Sequence, residues 1–142
     1  MILLDTNVLS ELMRIAPNQA VLSWMDEQTA TDLFICAVTK AEIELGIALL
    51  PEGKRKDNLF VAAQEMFGEF SPDRCLSFDE TAAAKYGVLV ASRTKIGRPI
   101  SVEDAQIAAI ALTHGLTMAT RNMADFENID DLKVISPWDF DK

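Results

Sequence analysis

Five short apolar runs, at 2–4, 33–38, 74–78, 116–119 and 133–135, punctuate a chain of 142 residues that otherwise reads as helix. Runs this brief are the mark of strands buried on both faces. Between them lie helical stretches near 7–14, 18–27, 40–50, 54–69, 80–95 and 102–114, broken at Pro17, Pro51, Pro72, Gly97 with Pro99, and Gly115. Strands that alternate with helices need crossover connections, and these give a parallel sheet covered on both faces. The expected fold is a single α/β domain over 1–142. It is a three-layer α/β/α sandwich around a short parallel sheet of about five strands. The stretches 40–50 and 54–69, joined through Leu50, Pro51, Glu52 and Gly53, read as a helical hairpin.

The chain is 49% apolar, enough for one core, and only 7% aromatic, so that core is aliphatic. No apolar run approaches the ~18 residues of a membrane span. No basic segment leads into a long apolar one at the N-terminus, so a cytoplasmic protein without membrane contact is expected. A net charge of −9 repels nucleic acid at long range. It leaves room for a nuclease with local basic patches and bound cations, and it suits a basic protein partner. Cys36 and Cys75 sit in apolar contexts without metal-site spacing and read as buried reduced thiols. The single histidine, His114, precedes Gly115 at a helix end, where it complements the helix dipole. Histidine-based hydrolytic triads, paired-histidine ribonucleases and zinc sites therefore lack their parts.

Chemistry is concentrated in four acids. Asp5 ends the first apolar run and opens a helix, the place where α/β proteins bind ligands. Its competing role is helix capping. Glu42 follows the second run, and Thr39 with Glu42 matches a capping box. Gly46, one turn on, leaves that face of the helix open, whereas Glu44 turns away into solvent. Asp104 opens a helix, Ala105 to Leu112, that is almost bare of charge and must be buried nearly all round. Ser101 three residues earlier makes capping compete here too, and Glu103 is expected to face solvent. Asp125 follows the fourth run, with Phe126 anchoring its loop; an ordinary turn acid is the alternative. Parallel strands deliver such ends to one sheet edge. Four carboxylates there would raise each other's pKa unless cations neutralise them. Oxygen ligands alone select Mg²⁺ or Mn²⁺ over zinc.

At these positions the chain resembles a PIN-domain ribonuclease, specifically a VapC-type toxin of the FitB-like branch. The resemblance runs through Leu4, Asp5, Thr6 and Asn7, the block Thr39 to Gly46, and Leu50 to Lys56. It continues through Asp104 to Ala108, Ala119 to Asn122 with Asp125 and Phe126, and the closing Ser136, Pro137 and Trp138. It implies a Mg²⁺-dependent endoribonuclease (Mn²⁺ substituting) that cuts RNA, transfer RNA above all. It also implies a homodimer held in check by a small antitoxin with a DNA-binding half. Asp5, Glu42, Asp104 and Asp125 map onto the family's acidic cluster. Asp5 and Asp104 would hold the ion with Asp125 direct or through water, while Glu42 ligates or orients the attacking water. Asn7, Thr120 and Arg121 fall at supporting and substrate-binding positions. Lys54, Arg55, Lys56, Arg93, Lys95 and Arg98 are further candidates to hold the RNA backbone, against the alternative of solvated helix surface.

Two other functions compete. Haloacid-dehalogenase-type phosphatases also place an Asp after the first strand, but need a second acid two residues on, where this chain has Asn7. The other alternative is a PIN-fold binding module, acting mainly in an antitoxin complex that recognises operator DNA.

Overall fold

The computed structural model describes residues 1–140. Its five strands are β1 (Ile2–Leu4), β2 (Leu33–Cys36), β3 (Cys75–Leu76), β4 (Thr117–Ala119) and β5 (Val134–Ile135). They form one parallel sheet in the order β3-β2-β1-β4-β5. Six α-helices accompany it: α1 (Thr6–Leu12), α2 (Gln19–Glu27), α3 (Ala37–Ala48), α4 (Lys54–Gly68), α5 (Glu80–Lys95) and α6 (Val102–His114). This is the expected three-layer sandwich.

Alternation along each strand divides the core. Leu3, Cys36 and Met118 point to the side covered by α5 and α6. Leu4, Ile35 and Ala119 point to the side covered by α1 to α4. Leu3 and Leu4 are both fully buried, each worth about 1.5–3 kcal/mol of apolar transfer. In α6, Ala105 and Ile107 to Ala111 are buried, as its lack of charge requires. Gly115 (φ 64°) ends that helix in the left-handed region, where a side chain would be strained. No helix among the described residues is long and apolar enough to cross a membrane.

The strand order matters for function. From β1 the chain moves outward to β2 and β3, then returns to the other side of β1 to lay down β4 and β5. The carboxyl ends of β1 and β4 therefore flank a crevice at the point where the connections diverge. Asp5 leaves β1 there, its amide bonded to Ala119 O at 3.0 Å. Thr120 leaves β4 beside it.

Some boundaries differ from the sequence expectation. The second apolar run stops being strand at Cys36, because Ala37 already starts α3. The third shortens to Cys75–Leu76, since Pro72–Arg74 forms a helical turn. The hairpin of α3 and α4 is present, with Lys40 Nζ 5.2 Å from the Phe67 ring centroid. Cys36 is buried and its thiol pKa is pushed up by that burial. Cys75 is free but only half-buried, which corrects the expectation for that residue: β3 is an edge strand.

Candidate active site

Asp5 is both a cap and more than a cap. Its Oδ1 accepts from the Thr6 amide at 2.7 Å, opening α1. Its Oδ2 accepts from Thr120 Oγ1 at 2.8 Å, and Thr120 Oγ1 in turn accepts from the Asn122 amide at 3.2 Å. The residue is 4% exposed. Burial pushes its carboxyl up to about 6 from an ordinary 3.8. The Thr120 and Thr6 hydrogen bonds pull against that, and the nearby charges of Asp104 and Glu42 add to it. A capping role alone accounts for one oxygen; it does not account for acids placed around a buried carboxylate.

Glu42 lies within α3 and cannot form the capping box expected from Thr39. The helix starts at Ala37 with extended Cys36 as its N-cap and no side-chain cap bond. Thr39 is fully buried and contacts Cys36 Sγ at 3.4 Å. Glu42 is half-buried and its Oε1 accepts from Thr6 Oγ1 at 2.7 Å. Gly46 is exposed, with nothing within 4 Å of where a Cβ would stand. Glu44 is only half-buried and accepts from Gln64 at 3.2 Å, so it is not simply solvated.

Ser101 makes the cap of α6, accepting from the Asp104 amide at 3.1 Å. The Asp104 carboxyl is half-buried at the helix mouth. Desolvation raises its pKa, Ser101 lowers it, and Asp125 and Glu103 raise it further. Glu103 is exposed, as expected. Asp125 sits in the turn Met123–Phe126, exposed above Phe126, which is 2% exposed and pins the loop. The four acids line one cleft of ≈ 240 Å³ with Thr6, Asn7, Ser10, Asn122 and Phe126.

The predicted supporting residues divide. Asn7 lines the cleft and its Oδ1 accepts from the Arg121 amide at 3.2 Å, tying α1 to the loop after β4. Thr120 is fully buried, which corrects its assignment to substrate contact; it serves Asp5. Arg121 is exposed, its guanidinium 5.3 Å from the Trp138 ring centroid. Arg93 is also corrected. It is 3% exposed and donates to the carbonyls of Arg98, Asp125 and Glu127, so it braces the acidic loop rather than meeting RNA. Arg98 pairs with Glu127 at 3.2 Å and Lys56 with Glu52 at 2.8 Å, while Lys54, Arg55 and Lys95 are exposed. Thr6, whose hydroxyl reaches Glu42, is a cleft residue to which the sequence reading gave no role.

The donor set is all oxygen and fits a hard divalent cation. Among the described residues no three acidic, His or Cys side chains are drawn together tightly enough to hold an ion as they stand. The acids line an open cleft, with Asp125 exposed at its edge. Thr120→Val should test the support of Asp5, since it deletes both a donor to Asp5 and the acceptor for Asn122. The expected loss is about 1–3 kcal/mol of stability by urea unfolding and ~10–100-fold of any cation-dependent activity.

The family model for the PIN domain matches residues 2–132. The chain is 41% identical to the toxin FitB of Neisseria gonorrhoeae over 97% of this chain and 99% of that one. It is 40% identical to the VapC ribonuclease Y4jK of Sinorhizobium fredii over 98% and 99%. The solved structure of FitAB bound to an IR36 DNA fragment superposes with a TM-score of 0.87 at 38% identity, covering 100% of this chain and 99% of that one.

Proposed function

Since the chain belongs to the PIN-domain family, we propose that it is the toxin of a toxin–antitoxin pair and hydrolyses RNA with a divalent cation. The observation that carries the chemistry is the convergence of Asp5, Glu42, Asp104 and Asp125 on one cleft at the carboxyl edge of the sheet. The names of the relatives, a toxin and a ribonuclease, support the class of reaction.

Asp5, Asp104 and Asp125 are the residues that would hold Mg²⁺ or Mn²⁺. When bound, such an ion acidifies water and neutralises charge developing on the phosphate. Asp5 is fixed by Thr6 and Thr120, so its carboxylate is pre-oriented. Glu42 orients the attacking water. Arg121, which lies over the Trp138 ring and adjoins the loop that ends in Asp125, would meet the RNA backbone. The charge of −9 makes local cations of this kind necessary.

The second reading, a binding module acting in an antitoxin complex on operator DNA, is favoured by the solved FitAB–DNA neighbour. Leu45, Leu49, Phe60 and Val61, exposed on the α3–α4 hairpin, are apolar area that a protein partner would cover. The two readings are compatible in one protein. The free chain, a cytoplasmic homodimer in this account, should cleave RNA with Mg²⁺ or Mn²⁺ and stop on adding chelator. Sequencing the RNA ends after brief expression identifies the substrate, for which transfer RNA is the first choice. Absence of chelator-sensitive cleavage with either ion would leave only the second reading.

A further inference from the structure

The hydrogen bond from Thr6 to Glu42 joins residues 36 apart in the chain. It forms because β1 and β2 are parallel neighbours, so the helices that follow them start side by side. Thr6 is the first residue of α1, and its amide and hydroxyl do different work. The amide goes to Asp5 at 2.7 Å and the hydroxyl to Glu42 Oε1 at 2.7 Å. One residue therefore fixes two acids of the cleft relative to each other.

We propose that Thr6 is a positioning residue for Glu42, holding one carboxylate oxygen so that the other is presented to the reacting water. Three physical points support it. An O–H···O⁻ bond this short is of the strong, charge-assisted kind, and both residues are half-buried, where it is less screened. A glutamate side chain has three torsions, and confining it forfeits rotamer entropy that only a specific contact offsets. Asp5 lies close enough for the two carboxylates to repel, so without the hydroxyl Glu42 would swing outward. Thr6 does not touch the reacting atoms in this scheme; it acts through Glu42. Helix capping gives no competing account of the hydroxyl, since α1 is capped by Asp5 through the Thr6 amide.

The inference rests on the ribonuclease reading, and the test separates the two. The full chain would be assayed on a defined RNA with Mn²⁺ as unmodified protein, Thr6→Val, Thr6→Ser, Glu42→Gln and the double variant Thr6→Val/Glu42→Gln. Valine keeps the branched shape and the amide that caps to Asp5. The expected result is a fall in kcat of about 10–100-fold for Thr6→Val, typical of removing an outer-shell partner. Mn²⁺ affinity and KM should stay within about threefold, serine should restore most of kcat, and Thr6→Val should add nothing on the Glu42→Gln background. A merely structural role would lower both backgrounds alike. Unchanged kcat in Thr6→Val, or additive losses in the double variant, overturns the inference alone. No cleavage by the unmodified protein overturns the ribonuclease reading and this inference with it. Thermal unfolding in parallel confirms that each variant is folded; if Thr6→Val is not, Thr6→Ala takes its place in the same cycle.

Discussion

Asp5→Asn is expected to lower RNA cleavage by about 10³-fold or more while making the ion-free protein more stable at neutral pH. On the proposed cation-dependent mechanism, the loss follows from removing a ligand whose ion would supply several kcal/mol of transition-state charge stabilisation, at ~1.4 kcal/mol per tenfold in rate. The gain follows from linkage. The folded-state pKa of Asp5 is raised to about 6 from 3.8, by burial first and by Asp104 and Glu42 in addition. A carboxyl raised on folding contributes stability that is full below its unfolded pKa and is lost as pH climbs through the folded one. Between about pH 4 and pH 6 the ion-free protein should therefore lose ~3 kcal/mol through this residue. Asparagine carries no charge to desolvate and caps a helix as well as aspartate does, so the Thr6 amide keeps its partner. At ~2–4 °C per kcal/mol, the melting temperature at pH 7 should rise by several degrees without added ion. If Asp5 were only a cap, activity would stay close to that of the unmodified protein, whereas the stability gain, which comes from burial, would remain.

Arg93→Ala should give the largest loss of stability, about 3–5 kcal/mol. The guanidinium is buried and donates to three carbonyls: Arg98 at 2.7 Å, Asp125 at 2.9 Å and Glu127 at 2.9 Å. Each bond to a charged donor is worth ~1.5–3 kcal/mol, and truncation strands the acceptors. Against a total of ~5–15 kcal/mol this is about a fifth or more of the stability of an ordinary domain. Arg93 also sits in the last turn of α5, where a cation is favoured by the helix dipole. Because two of its carbonyls bracket Phe126, the variant should also loosen the loop that carries Asp125. Hydrogen exchange at 122–128 should accelerate, and Arg93→Lys should recover only part, since one ammonium cannot span a planar fork of donors. A urea midpoint corresponding to less than about 1 kcal/mol of change would show that the loop is held by something else.

Much of this arrangement was legible in the chain. Asp5, Glu42, Asp104 and Asp125 could be read because strand ends and a charge-free helix mouth are visible in one dimension, and a parallel sheet sends such ends to one edge. What was not legible depended on partners far away in sequence. Arg93 lies among exposed basic residues near the end of α5, and nothing local distinguishes a buried arginine from a solvated one. Thr6 looks like any first-turn threonine until Glu42, on a different helix, is brought to its hydroxyl. Thr39 and Glu42 matched a capping box by spacing, but the box needs Thr39 to be the N-cap, and extended Cys36 takes that place three residues sooner. Thr120 was read as a supporting or substrate-binding residue; its complete burial, from β4 lying between β1 and β5, leaves the supporting role.

The central claim is that Asp104, and not its neighbour Glu103, joins Asp5 in a single site for a hard cation. Titration of Mn²⁺ into the purified protein, followed by the electron-spin-resonance signal of the free hydrated ion, tests it directly. The unmodified chain and Glu103→Gln should bind Mn²⁺ alike. Asp104→Asn should bind at least about tenfold more weakly, a floor set by what outer-shell changes alone do to metal sites. Equal binding by all three proteins, or a loss confined to Glu103→Gln, would contradict it.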